Sequence, residues 1–214
     1  MTKTLSTVWK TIIDTLIPKR CLGCGREGRY ICADCSLFLS EVPLAGVGSR
    51  PDITSVWEYE GIIEKAILKI KYDGYYDIVG ELVEKALQKI EINLPENAVI
   101  TYVPMYKKRE KQRGFNQAKL IAEKIGKNIN RPVIDLLEKV RDNPSQVGLG
   151  LQERQENVRG VFSIAKMTEV EHSSILLVDD VYTTGATMKE CTKVLKRAEM
   201  KNVWGFTLAR KLNL

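Results

Sequence analysis

The stretch Ile175-Leu176-Leu177-Val178-Asp179-Asp180-Val181-Tyr182-Thr183-Thr184-Gly185-Ala186-Thr187 constrains this chain more than any other. Its apolar run has the length and character of a strand buried on both faces, as in a parallel sheet. Open α/β sheets bind ligands beyond the carboxyl ends of their strands, and that is where the two acids emerge. Asp179 and Asp180 suit a vicinal diol, since each can accept hydrogen bonds from the 2′ and 3′ hydroxyls of a ribose. Thr183, Thr184, Gly185, Ala186 and Thr187 then offer hydroxyls and backbone N–H groups at a helix N-terminus, where a phosphate is favoured. Gly185 lets the backbone approach such a ligand closely. The bland alternative is a strand, a turn and a helix capped by Asp180 or Thr183. It leaves the second acid and the second Thr without a task.

A second cluster lies near the start. Cys21-x-x-Cys24 and Cys32-x-x-Cys35 are separated by seven residues. Two such pairs match a tetrahedral zinc site, because each short loop lets two sulfurs converge on one ion. A redox dithiol or an iron–sulfur cluster are the competing readings. Four sulfurs leave no open coordination position, so the expected metal is structural. Lys19, Arg20, Arg26 and Arg29 surround the pairs and suit either a phosphate backbone or plain solvent. Cys191, after the phosphate loop, reads as a small core residue.

The chain has 214 residues, enough for one larger domain and a small appendage. No apolar run reaches the roughly 20 residues needed to span a bilayer. Residues 5–17 carry Leu5, Val8, Trp9, Ile12, Ile13, Leu16 and Ile17 at helical spacing, interrupted by Lys10 and Asp14. That pattern predicts an amphipathic helix packed on its own protein rather than a signal peptide, with membrane-surface binding as the alternative. A cytoplasmic, reducing location follows, and with it cysteines that are not disulfides. The formal net charge is +6, and residues 99–160 hold 13 Lys/Arg against 7 Asp/Glu. All of the excess sits there, which favours a polyanionic ligand.

Strands are expected at residues 53–59, 99–103, 161–164 and 202–208, with a partial one in 132–140. Helices are expected at 62–70, 78–90 and 117–129, with a turn at 71–76. This alternation predicts a mainly parallel sheet. Residues 43–51 read as a Gly/Pro-rich linker, dividing an appendage at 1–44 from a domain at 45–214. The polar loop at 105–116 begins at a strand's carboxyl end and carries Lys107, Lys108, Arg109, Lys111 and Arg113. It is the second phosphate candidate, or else a solvated basic turn. Residues 142–160 form a long polar stretch in a position where function is the better reading. Tyr72, Tyr75 and Tyr76 beside Lys69 and Lys71 could stack bases while cations track a backbone; turn packing explains them as well. The only histidine, His172, falls in a polar loop, which argues against a hydrolase triad.

The first stretch resembles the phosphoribosyl pyrophosphate (PRPP) motif of type I phosphoribosyltransferases. Arg113-Gly114-Phe115-Asn116-Gln117, then Gln146 with Arg154-x-x-Asn157-x-x-Gly160-x-Phe162, and then that motif, resemble the ComF family of late competence proteins. In place of the Thr this family favours, the chain has Asn143. The resemblance covers nearly the whole chain and implies a type I phosphoribosyltransferase fold with an N-terminal four-cysteine zinc element. It implies Asp179 and Asp180 at the ribose, residues 183–187 at the 5′-phosphate, and Lys107, Arg109 and Arg113 at pyrophosphate, with Mg²⁺ accompanying PRPP. It further implies a role in natural transformation, handling incoming single-stranded DNA beside a helicase-like competence ATPase. A phosphoribosyltransferase acting on an unidentified acceptor is the rival function, and a scaffold that docks a partner ranks last.

Overall fold

The computed structural model describes residues 18–43, 53–142, 158–165 and 174–212. The amphipathic stretch at 5–17, most of the linker, His172, Asn143, Gln146, Arg154 and Asn157 lie outside the described residues.

A four-stranded parallel sheet organises the chain. Its strands are β1 (Ile53–Glu58), β2 (Val99–Tyr102), β5 (Ile175–Tyr182) and β6 (Val203–Arg210), in the order β1-β6-β5-β2. β3 (Leu137–Lys139) and β4 (Phe162–Ile164) form a separate antiparallel pair. The helices are α1 (Ala33–Ser36), α2 (Gly61–Asp73), α3 (Ile78–Lys89), α4 (Lys107–Arg113), α5 (Gln117–Ile129) and α6 (Ala186–Arg197).

The continuous apolar run of β5 follows from helices and loops covering both faces of the sheet. Leu176 and Val178 pack with α2, α3 and α5 through Ile67, Leu82 and Ile121. Ile175 and Leu177 point the other way, onto Cys191 and Leu195 of α6 and onto Phe162 of β4. Alternation along a strand sends successive side chains to opposite faces, so both sets must be apolar. Cys191 is fully buried in the second cluster, as a core residue should be.

Two elements differ from the sequence expectation. Residues 107–113, expected as loop, form α4. Lys, Arg, Glu and Gln are strong helix formers, and Gly114 at φ 86° supplies the left-handed terminus that ends the helix. α2 also runs past residue 70 to Asp73, so Lys71 and Tyr72 sit on its last turn rather than in a free turn.

The four-cysteine element contributes to the main core. Tyr30 and Ile31 join the same cluster as α2 and α3. Their backbone N–H groups donate to Glu81 Oε2 at 3.0 Å and Oε1 at 2.8 Å, and the Tyr30 hydroxyl donates to Asp77. No helix among the described residues is long and apolar enough to cross a membrane.

Candidate functional site

β5 carries its buried run to Val178 and then presents Asp179 and Asp180. Asp179 Oδ1 accepts from the Asp180 N–H at 2.8 Å, and the two carboxylates stand close enough to interact. The chain bends at Gly185, whose φ of 75° suits a residue without a side chain. The Tyr182 hydroxyl and ring lie where a Cβ at Gly185 would stand, so the glycine is required twice over. Thr184 Oγ1 accepts from Ala186 N at 3.3 Å and opens α6.

Facing this turn is the loop after β2. Asn116 is buried; its Oδ1 accepts from Ala118 N at 2.9 Å and caps α5, while its Nδ2 donates to Val103 O at 3.1 Å. That double role ties the strand end to the helix start. Arg113 Nη1 donates to Gln117 Oε1 at 2.6 Å, and its guanidinium lies 5.9 Å from the centre of the Tyr72 ring. Arg109 Nε pairs with Asp142 Oδ1 at 3.0 Å, joining α4 to the segment after β3.

These parts enclose one cavity of about 580 Å³. Asp179, Asp180, Thr183, Gly185, Ala186, Thr187, Arg109 and Arg113 all line it. Thr184 and Lys107 do not: the threonine spends its hydroxyl on α6, and Lys107 opens α4. The cavity also takes Tyr59, Glu64, Lys71, Lys139 and Lys211, which the sequence reading did not assign to this site. Of these, Lys71 reads in sequence only as a cation that could track a nucleic-acid backbone. Its Nζ stands 2.7 Å from Asp180 Oδ2.

The electrostatics follow from crowding of charge in a half-closed cleft. Burial, and then the charge of Asp180, push the Asp179 carboxyl up to about 8, against the pull of Lys71. Burial works against the Lys71 ammonium, yet Asp180 and then Asp179 hold it above the ordinary lysine range. Lys139 is shifted down by burial and by neighbouring Arg109. Cations and a carboxylate pair therefore line the same cavity, an arrangement fitted to a ligand with both phosphates and hydroxyls.

The second candidate is the cysteine cluster. The sulfurs of Cys21, Cys24, Cys32 and Cys35 all lie within 4.8 Å of one another, and Cys24 Sγ is 3.7 Å from Cys32 Sγ. A tetrahedral zinc with Zn–S bonds of about 2.3 Å requires sulfur–sulfur edges of roughly 3.8 Å, so the residues fit the ion. Cys32 N donates to Cys21 Sγ at 3.5 Å and Cys35 N to Cys32 Sγ at 3.4 Å, contacts that favour thiolates. Burial alone would raise the Cys21 thiol, but backbone hydrogen bonds from Cys32, Cys24 and Gly23 bring it down to about 6. Arg26 and Asp34 pair at 2.7 Å beside the cluster, and Arg20 pairs with Glu27 at 3.0 Å.

Comparison with known proteins agrees with this architecture. Residues 111–213 match the family model of the phosphoribosyl transferase domain, which spans the Arg113–Gln117 segment, β5 and the phosphate loop. Competence protein F of Haemophilus influenzae is 29% identical over 200 residues, covering 88% of this chain and 84% of that protein. Competence protein ComFC of Streptococcus pneumoniae is 30% identical over 179 residues, covering 84% of this chain and 74% of that protein. DNA utilization protein YhgH of Escherichia coli O6:H1 is 24% identical over 206 residues, covering 90% of this chain and 89% of that protein.

Proposed function

This chain belongs to the ComF family of competence proteins, and we propose that it binds PRPP in the β5 cleft and serves cytoplasmic handling of single-stranded DNA during natural transformation. One observation carries the ligand assignment. Two adjacent carboxylates, a Thr/Gly loop at a helix start, and Arg109 and Arg113 all face one cavity. Asp179 and Asp180 accept from the ribose hydroxyls, the turn at residues 183–187 receives the 5′-phosphate, and Arg109 and Arg113 meet the pyrophosphate. Mg²⁺, when bound with PRPP, neutralises charge on the pyrophosphate and keeps mostly water and substrate oxygens as its ligands.

The DNA role rests on the relatives' printed names and on this chain's own surface. Tyr72 and Tyr76 are more than half exposed beside the cleft, with Arg113 against Tyr72 and Lys69 4.7 Å from the centre of the Tyr75 ring. Aromatic planes interleaved with cations suit a single strand, whose bases stack while its phosphates are neutralised. A helicase-like competence ATPase is the proposed protein partner.

A phosphoribosyltransferase reaction is the second reading. The cavity wall formed by Tyr59, Glu64, Leu68 and Tyr72 leaves room for an acceptor beside the sugar. In that reading a nitrogen or oxygen of the acceptor bonds to the anomeric carbon as the bond to pyrophosphate breaks through an oxocarbenium-like state, the acceptor's proton passes to solvent, and the cations stabilise the leaving charge.

Calorimetric titration of Mg²⁺–PRPP into the zinc-loaded wild type and an Asp179→Asn/Asp180→Asn variant tests the ligand assignment. Binding lost in the variant is expected. A folded wild type that takes no PRPP would remove it. An acceptor screen for pyrophosphate release then separates binder from enzyme.

A further inference from the structure

The motif that carries the sugar-phosphate reading contains no lysine, yet an ammonium reaches into it from the opposite wall of the cavity. Lys71 stands on the last turn of α2, and its Nζ lies 2.7 Å from Asp180 Oδ2. The Asp180 side chain is 8% exposed and that of Lys71 22%, so both charges are largely withdrawn from water. Among the described residues Asp180 Oδ2 has no other partner. Withdrawing two opposite charges is costly, and the pair is retained only where its geometry or its charge is useful.

The rest of the fold aims this lysine. The turn that follows α2 is gripped by the four-cysteine element: Tyr30 meets Tyr75 edge to face at 6.1 Å, and its hydroxyl donates to Asp77. Lys19 pairs with the same aspartate at 3.1 Å. A lysine has many rotamers to lose, so one held at both its backbone and its tip is a constrained one.

We propose that Lys71 is a positioning residue of the sugar-phosphate cleft, keeping Asp180 as an anionic acceptor turned toward a ribose hydroxyl. This rests on the PRPP reading and adds a residue from outside the motif. Without the ammonium, two adjacent carboxylates in a half-closed cleft would compete for one proton, and a protonated acid becomes a donor where the ligand needs an acceptor. With it, the Lys71 charge draws the Asp179 carboxyl down against burial and the charge of Asp180. The other charged and titratable groups facing Lys71 and the two acids are Arg113 on α4, Tyr59 after β1, Glu64 and Tyr72 on α2, Lys139 on β3 and Cys191 on α6. Of the cations among them, Arg113 is engaged by Gln117 and Lys139 acts on Asp179, which leaves Lys71 as the one paired directly with Asp180.

The test compares Mg²⁺–PRPP binding from pH 6 to pH 9 in the wild type, Lys71→Gln and Lys71→Arg, with folding checked by circular dichroism. Gln keeps a hydrogen-bond donor and drops the charge; Arg keeps the charge. We expect Lys71→Gln to move the midpoint of the affinity profile upward by about one pH unit and to weaken binding about tenfold at pH 7.5. Lys71→Arg should hold the wild-type midpoint with a smaller loss of affinity. A lysine that only ties α2 to β5 would lower the melting temperature in Lys71→Gln and leave the midpoint in place, which overturns the proposal. A midpoint displaced equally by Arg also overturns it, and this arm decides the matter should Lys71→Gln fail to fold. A wild type that binds no PRPP at any pH overturns the sugar-phosphate reading and the lysine's role together.

Discussion

Asp179→Asn should stabilise this protein, and more so at higher pH. The carboxyl is raised to about 8 in the fold, first by burial and then by Asp180, from an ordinary value of 3.8. The folded state therefore binds this proton more tightly than the unfolded state does. The corresponding stability is complete below pH ~4 and is lost as pH rises through about 8. One pKa unit corresponds to about 1.4 kcal/mol, which sets a ceiling of about 4 kcal/mol on the loss between pH 5 and 8. The two acids titrate as a pair and the open mouth of the cleft lets water relax around them, so about 2 kcal/mol is the expected size. Asparagine has the same shape and no charge to bury. Urea unfolding of wild type and variant at pH 5, 6.5 and 8 supplies the difference, in which titrations elsewhere cancel. At pH 5 the two proteins should nearly coincide; at pH 8 the variant should be ahead by about 2 kcal/mol, on the order of 4–8 °C in Tm for a chain of this size. A difference that stays constant across the three pH values would refute the reasoning. So would a variant that loses ground to the wild type as pH rises.

Three further outcomes are expected. Gly185→Ala must place a Cβ on the Tyr182 ring at a φ of 75°, so it should cost about 1–3 kcal/mol in urea unfolding and abolish PRPP binding by calorimetry. Glu81→Ala strips the acceptor from the buried N–H groups of Tyr30 and Ile31 and should destabilise by about 2–4 kcal/mol, read by the same unfolding assay. Stripping the metal with a chelator should lower Tm, restored by one equivalent of zinc; a Tm indifferent to both would exclude a structural ion at the cysteines.

The parts of this molecule that were readable in sequence are those whose chemistry is local. β5 announces itself because both of its faces are buried, which removes the polar alternation that would blur a strand. The cysteine pairs do so because two short loops are enough to bring four sulfurs together. Asn116 entered the sequence reading only through the family resemblance; its cap on α5 is local, but its bond to Val103 O reaches back 13 residues to the strand end. What escaped was long-range or conditional. Residues 107–113 are rich in charge, and charge suits a loop as well as a helix; the left-handed Gly114 and the capped helix behind it decide between the two. Lys139 and Lys211 look like ordinary surface lysines in sequence and Lys71 like a cation for a nucleic-acid backbone, and only the fold brings all three to one cavity. Arg109 was legible as a phosphate ligand but not as the partner of Asp142, since that contact spans the β2–β3 connection.

The placement of the four-cysteine element bears on how the cleft is held. An appended zinc module would be expected to bury its own small core and touch its neighbour through polar contacts. Here Tyr30 and Ile31 sit inside the cluster formed by α2, α3 and α5, and Glu81 satisfies both of their backbone donors. A metal-braced loop is rigid for its size, because four bonds to one ion replace the apolar area that so short a segment cannot bury. Rigidity at Tyr30 passes to Asp77 and Tyr75, hence to the turn between α2 and α3, and so to the helix end that carries Lys71. The four cysteines and the Asp179–Asp180 pair are thus joined by one continuous set of contacts through Tyr30, Tyr75, Asp77 and Lys71. The four-cysteine element is therefore part of the scaffold that holds the cleft, and its disruption should be felt at Asp180 as well as in overall stability.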